Sequence, residues 1–248
     1  PLAASPEFPE EMPHLVIIGG KSMATVQLIE QISTLLSTKY SNVTRFPSLE
    51  ALNRDSVPPK ATVLSLADLD GPVMKSWTLD KLEALKALWD QAAKVLWVTK
   101  GAYSSEPYSS MIAGIARVVR AEKIELNVQL LDIAFLDQRT ASLVSETLLR
   151  HHFLLTWSPE NSTEKLLWSY ENEVAFDGQQ MLIPRVRINE TENLRMNSAR
   201  RSIVHEIDPS TAALRLVSSG ESYQLEEVSS LRVAPTLPTI RVRQSLLQ

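Results

Sequence analysis

Cysteine is absent from all 248 residues, which excludes a disulfide framework, a thiolate nucleophile and a thiolate metal site. Long apolar runs are absent as well. Segments such as His14–Ile18 and Val95–Val98 fall far short of the ~20 residues needed to span a bilayer. Residues 1–15 hold four prolines and several acidic residues but no basic stretch. They are therefore not a signal peptide, and residues 1–13 read as a linker. Neither sign of charge dominates: the net charge is −4 with both signs interspersed, which leaves no electrostatic footprint for nucleic acid. The one basic cluster, Arg195, Arg200 and Arg201, is short and reads as a solvated segment. These exclusions point to a cytoplasmic chain with neither nucleic acid nor membrane as its partner. What is present is an ordinary globular balance, 44% hydrophobic and 22% charged, sufficient for one large domain or a domain with an appendage.

Periodicity supplies the elements. The apolar run His14–Ile18 ends in Gly19-Gly20, as a buried strand feeding a turn does. From Ser22, a plausible N-cap, Met23, Val26, Ile29, Ile32 and Leu35/Leu36 recur at helical spacing. Val43–Phe46 predicts a short strand, Ser48 to about Arg54 a small helix, and Ala61–Leu66 a further strand. Asp68-Leu-Asp70-Gly71-Pro72 reads as a loop. Thr78 caps a helix whose Leu79, Leu82, Leu85, Leu88/Trp89 and Ala92 share a face. Lys94–Thr99 and Asn127–Ile133 predict strands; Ser109–Lys123, whose apolar face holds Met111/Ile112, Ile115 and Val118/Val119, and Thr140–Phe153 predict helices. Strands alternating with helices imply a parallel sheet covered on both faces, a doubly wound α/β, Rossmann-like domain.

After Pro159 the pattern changes. Leu166–Phe176 and Met181–Val186, joined through Asp177-Gly178, read as a hairpin. Residues 189–202 are polar, a surface connector or an exposed helix. Beyond them only Ala213–Val217 and Ile240–Val242 look like strands, which makes a β-rich C-terminal extension.

The positions where this architecture places chemistry hold the wrong residues. A dinucleotide turn needs its second glycine so that the backbone can approach the pyrophosphate. Here Gly19-Gly20-Lys21-Ser22-Met23-Ala24 puts Lys21 at that position, where its side chain would occupy the phosphate's volume. Arg45, at the end of the second strand, is a weak candidate for a 2′-phosphate partner. Gly20-Lys21-Ser22 ends like a P-loop, but the residue five before Gly20 is Leu15, inside a strand, so there is no phosphate-cradling loop.

A ketoreductase on this architecture protonates its substrate with a tyrosine followed four residues later by lysine or asparagine. Tyr40, Tyr103, Tyr108, Tyr170 and Tyr223 are followed at that distance by Thr44, Pro107, Ile112, Val174 and Glu227. Ser104, Ser105, Ser109 and Ser110 form no nucleophile elbow. The histidines His14, His151, His152 and His205 make no metal-ligand spacing, and adjacent His151 and His152 point about 100° apart on a helix. Asp68 and Asp70 read as turn residues, and Trp89 and Trp97 as core. No catalytic, cofactor-binding or metal-binding residue is expected.

Three stretches carry a family resemblance. Residues 94–102, with Leu96-Trp-Val-Thr-Lys-Gly-Ala102, resemble the fourth strand of the structural subdomain of polyketide synthase ketoreductases. Gly114–Glu122 and the following Val128–Asp132 resemble that subdomain's next helix and strand. Glu171–Gly178 through Ile183-Pro-Arg185 resembles its closing hairpin. The chain thus resembles the structural, or pseudo-ketoreductase, subdomain of fungal highly reducing polyketide synthases of the lovastatin nonaketide synthase type.

The resemblance implies a non-catalytic domain over residues 14–187, a connector over 188–237, and the start of an enoylreductase-like neighbour at 238–248. It implies that this half braces a catalytic ketoreductase half lying outside the chain, which would bind the NADPH. The other implied partners are enoylreductase, methyltransferase or dehydratase domains of the same polypeptide, the parent being a homodimeric multifunctional synthase that processes a carrier-bound β-keto intermediate. The competing reading is an NADP-dependent reductase with a degenerate nucleotide site, motivated by Lys21 and Arg45. A stand-alone interaction domain is a third.

Overall fold

The computed structural model describes residues 12–53, 55–156, 170–201, 206–208, 213–220 and 222–228. In chain order β1 (Met12–Ile18), α1 (Met23–Leu36), β2 (Tyr40–Phe46), β3 (Ala61–Ser65), α2 (Leu79–Gln91), β4 (Ala92–Lys100), α3 (Pro107–Glu122), β5 (Asn127–Ile133), α4 (Thr140–Thr156), β6 (Glu173–Phe176) and β7 (Met181–Leu182) form one sheet and its covering helices. The strands lie in the order β2-β1-β3-β4-β5-β6-β7. All pair parallel except β7, which is antiparallel to β6. The direction of winding reverses at β1, so the crevice between the carboxyl ends of β1 and β3 is the topological switch point. This is where open α/β sheets bind ligands.

Strand alternation divides the core between the two faces. Val63, Val95, Trp97, Val128 and Leu130 pack with α2 and α3, while Leu64, Leu96, Val98, Leu131 and Ile133 pack with α1 and α4. Every residue of β3 is buried, as a strand covered on both sides must be. Trp97 is fully buried and tilts against Trp89 with ring centroids 5.9 Å apart, so both tryptophans are core as expected. Ser22 and Thr78 cap α1 and α2 through their hydroxyls, which accept from the N–H of Thr25 and Lys81.

Several predicted details change. In α3 the buried residues are Ser109, Ile112, Ala113 and Ala116, whereas Met111 and Val118 of the expected face are exposed. Met23 and Leu79 are likewise exposed. The small helix after Ser48 is a single 3₁₀ turn, Leu49–Ala51. The hairpin closing the sheet is shorter than predicted, because Pro184, which has no N–H, follows β7 closely. Its turn is held by Asp177 Oδ1, which accepts from the N–H groups of Gln179 and Gln180. The predicted strand residues Leu166–Ser169 and Ile240–Val242, and His205, lie outside the described residues.

The chain divides into two compact units, Pro1–Arg185 and Val186–Gln248. In the second, α5 (Glu190–Ser198) is capped by Asn189 and has no buried residue; Arg195 on it pairs with Glu192, which fits a solvated segment. β8 (Ala213–Ser219) pairs antiparallel with β9 (Ser222–Val228) around Gly220.

Candidate functional site

The switch-point crevice begins with two glycines whose conformation follows from packing. Gly19 donates to the Phe46 carbonyl at 2.9 Å, and Leu66 donates to the Ile18 carbonyl at 2.7 Å. The chain leaving β3 therefore passes directly over Gly19. A Cβ there would lie 3.1 Å from the Leu66 backbone, and φ is +133°, a region suited to glycine. Gly20 also has positive φ, +111°. These torsions carry the backbone N–H groups of residues 20–22 around the amino end of α1 so that they converge.

What they converge on is Asp70. Gly20 and Lys21 donate to its Oδ2 at 2.7 and 3.0 Å, and Ser22 donates to its Oδ1 at 2.8 Å. Partial burial opposes the Asp70 charge most strongly, but the bonds from Lys21, Ser22 and Gly20 outweigh it and hold the carboxyl below its ordinary pKa. A helix amino terminus with free N–H groups is the usual seat of a pyrophosphate. Here both oxygens of a carboxylate from the loop after β3 already sit on those donors. A pyrophosphate brought to the same donors would meet that negative charge, so the residues present do not fit it.

Lys21 plays a different part from the one its spacing suggested. Its side chain points outward, half exposed, and meets Glu50 at 3.5 Å. It does not fill the phosphate volume; Asp70 does. Arg45, exposed at the end of β2, is engaged by Glu30 at 2.5 Å. A cavity of about 300 Å³ opens beside Asp70, with Lys21, Ser48, Glu50, Lys75 and Lys81 on its wall. Lys81 Nζ donates to the Val73 and Ser76 carbonyls at 3.0 and 2.7 Å, so it is tied to the loop.

The same arrangement recurs along the carboxyl edge of the sheet. Asp68, buried, accepts from Trp97 Nε1–H at 2.6 Å, from the Ser109 hydroxyl at 3.0 Å and from the Val73 N–H at 3.4 Å. This joins the loop after β3 to β4 and α3. Asp132, at the end of β5, accepts from the Thr99 hydroxyl and the Ala102 N–H at 2.8 Å each, and from the Tyr103 N–H at 3.3 Å. That fixes the loop after β4. The two carboxylates assigned to a turn are thus the groups that close this edge. No sequence motif marks Asp132. The available signal was an acidic residue at or just past the end of a buried strand, facing helix amino ends.

The remaining candidates are dispersed. The Tyr103 hydroxyl donates to Glu173 at 2.7 Å, and Arg117 and Arg120 donate to the same carboxylate at 2.6–3.1 Å. The Arg117 bonds pull Glu173 most strongly, down to about 2. Tyr40 is buried at the start of β2, Tyr108 is exposed, and Tyr223 is exposed on β9. Ser104 and Ser105 donate their backbone N–H groups to the Gly101 carbonyl. His151 is fully buried and stacks on Tyr170 at 5.6 Å, whereas His152 faces Lys94 at 3.0 Å. Burial pushes both imidazoles below their ordinary pKa. Among the described residues no group of three potential ligands is placed to hold a metal ion.

Comparison with known proteins sets this crevice in context. No protein-family model matches the chain. It is 41% identical over 249 residues to the hybrid PKS-NRPS synthetase prlS of a fungal species, an alignment spanning 97% of this chain and 6% of that protein. It is 39% identical to the trichosetin synthetase PKS-NRPS1 of Gibberella fujikuroi and 36% identical to the equisetin synthetase eqxS of Fusarium heterosporum, in each case over 96% of this chain and 6% of the relative. Its homologues are fungal hybrid PKS-NRPS synthetases. The chain spans about 6% of the length of these synthetases, so the similarity concerns one region of each. Among solved structures, a C2-type ketoreductase from a modular polyketide synthase is 18% identical, covering 70% of this chain and 39% of that one with a TM-score of 0.47.

Proposed function

We propose that this chain is the structural, pseudo-ketoreductase half of the polyketide-synthase portion of a hybrid synthetase, a scaffold that braces a catalytic ketoreductase half. One observation carries the reading. The donors that would seat a pyrophosphate are taken by Asp70, at the crevice where an α/β sheet binds its ligand. Asp68 and Asp132 support it, because they spend the neighbouring loops on internal bonds. In this reading NADPH belongs to the catalytic half, and the chain contributes no catalytic residue to the reduction of a carrier-bound β-keto intermediate. Residues 14–187 are the bracing domain, 188–237 the connector, and 238–248 the start of an enoylreductase-like neighbour. A reducing synthase of the lovastatin nonaketide type and a homodimeric parent belong to the same proposal. The alternative, an NADP-dependent reductase with a degenerate nucleotide site, rests on Lys21 and Arg45, whose side chains pair at the surface with Glu50 and Glu30.

The test is reconstitution. A β-ketoacyl thioester is offered with NADPH to this chain, to the catalytic half, and to both together. The scaffold reading predicts no turnover by this chain and a more stable, more active catalytic half in its presence. Turnover by this chain alone would overturn it.

A further inference from the structure

We propose that Lys94 is a modification site, a half-buried amine that faces an imidazole where other lysines face a carboxylate, and that it takes an acyl group from a thioester. The site lies near the start of β4, at the opposite edge of the sheet from the Asp70 crevice. The inference goes beyond the scaffold reading and does not depend on it.

Three observations carry it. First, the partner is unusual. Lys21 and Lys81 face Glu50, Lys86 faces Glu83 and Lys123 faces Asp90. Lys94 Nζ meets His152 instead, 3.0 Å from Nδ1 and 3.4 Å from Nε2. Second, its surroundings offer no negative charge. Strand alternation turns Lys94 to the side of the sheet that Leu96 and Val98 share with α4. From α4 come His152 and the fully buried His151, and across the sheet its register neighbours are Thr62 on β3 and Asn127 on β5. Burial lowers the Lys94 pKa, and burial followed by the Lys94 charge lowers that of His152 to about 4. Third, the amine is within reach, since Lys94 keeps part of its surface exposed. A lysine desolvated beside a second basic group is the kind that gives up its proton and acts as a nucleophile.

The step balances with the thioester as its one co-reactant. The neutral amine attacks the carbonyl carbon; a C–N bond forms and the C–S bond breaks. The proton shed by the new ammonium centre passes to the His152 imidazole, neutral at this pH, and on to the departing thiolate. The products are an amide at Nζ and a thiol. Because the amide is uncharged, the charge beside His151 and His152 is lost and the reaction ends after one equivalent. It is a modification of the scaffold, not turnover by it.

The experiment incubates the full chain with the acetyl thioester of N-acetylcysteamine across the neutral and mildly alkaline range, and locates acetyl groups lysine by lysine by mass spectrometry. Lys94 is expected to react faster than Lys86 and Lys123, to reach its half-maximal rate at lower pH, and to lose both advantages in urea. In the acetylated chain the His152 imidazole should titrate at higher pH by NMR, since the charge opposing its protonation is gone. His152→Phe, which keeps the site buried but removes the proton acceptor, is expected to slow Lys94 to the rate of Lys86. Should that variant be recovered unfolded, His152→Gln takes its place with the same expectation. Equal rates at Lys94, Lys86 and Lys123 in the folded chain would overturn the inference. So would a preference that survives in urea, which would belong to local sequence, or an undiminished Lys94 rate in a folded His152 variant.

Discussion

Burial pushes the Asp68 carboxyl up to about 6, although Trp97, Ser109 and Val73 all donate to it and Lys81 lies near. Its folded pKa exceeds the ordinary value of 3.8, so its contribution to stability is fully present below that value and is lost as pH rises through about 6. His151 acts in the opposite direction. Burial, and then the charge of Lys94, hold its pKa well below 6.5. The unfolded chain therefore takes up a proton that the folded chain refuses as pH falls below 6.5, at about 1.4 kcal/mol per pH unit. Between about pH 6 and 4 the two groups offset each other. Urea midpoints against pH should separate them: His151→Phe should lose less stability on acidification than the wild type, and Asp68→Asn should lose more. At neutral pH, Asp68→Ala should cost about 1–3 kcal/mol, because it leaves the buried Trp97 Nε1–H and Ser109 hydroxyl without their acceptor.

At the scale of elements, two glycines make opposed predictions. Gly19 has a positive φ and the Leu66 backbone 3.1 Å from any added Cβ, so Gly19→Ala should destabilise by about 2 kcal/mol or more. Gly114 sits mid-helix in α3 with nothing within 4 Å of an added Cβ. Gly114→Ala should therefore stabilise by about 0.5–1 kcal/mol, read from the same denaturation curves. Glu173 joins β6 to α3 through Arg117, Arg120 and Tyr103. Glu173→Gln should raise amide exchange selectively in residues 107–122, and uniform exchange across the sheet would contradict that role.

The elements themselves were legible, because strand and helix periods are local: β1, β3, β4 and β5 fall where apolar runs end in turns. The apolar face of α3 was legible in outline, since Ile112 is buried and Ile115 and Val119 pack against the core. Ile112, Ala113 and Ala116 face the sheet while the larger Met111 and Val118 do not, since small side chains allow close helix–sheet packing and periodicity alone favours the bulky ones. β9 is not marked in the sequence because its apolar residues Tyr223 and Leu225 are few and exposed and Glu226-Glu227 breaks the alternation, so its pairing with β8 depends on the turn at Gly220. The closure of the crevice was legible only as an absence of motif. Asp70 acts on residues about fifty positions away, a relation that no local pattern contains.

At the scale of the molecule, a doubly wound sheet keeps the crevice in which such sheets bind ligands and fills its edge with its own carboxylates. Among the described residues no helix is long and apolar enough to cross a membrane. The homologous region makes up 6% of much longer synthetases, and the proposed scaffold role places the reductive chemistry elsewhere in such a polypeptide. Calorimetric titration of NADPH into the isolated chain, up to millimolar concentration and repeated with the catalytic half added, asks whether the crevice filled by Asp70 takes the cofactor. No saturable heat from the chain alone, with binding once the catalytic half is present, is the expected result. Saturable binding to the chain alone would overturn the scaffold reading.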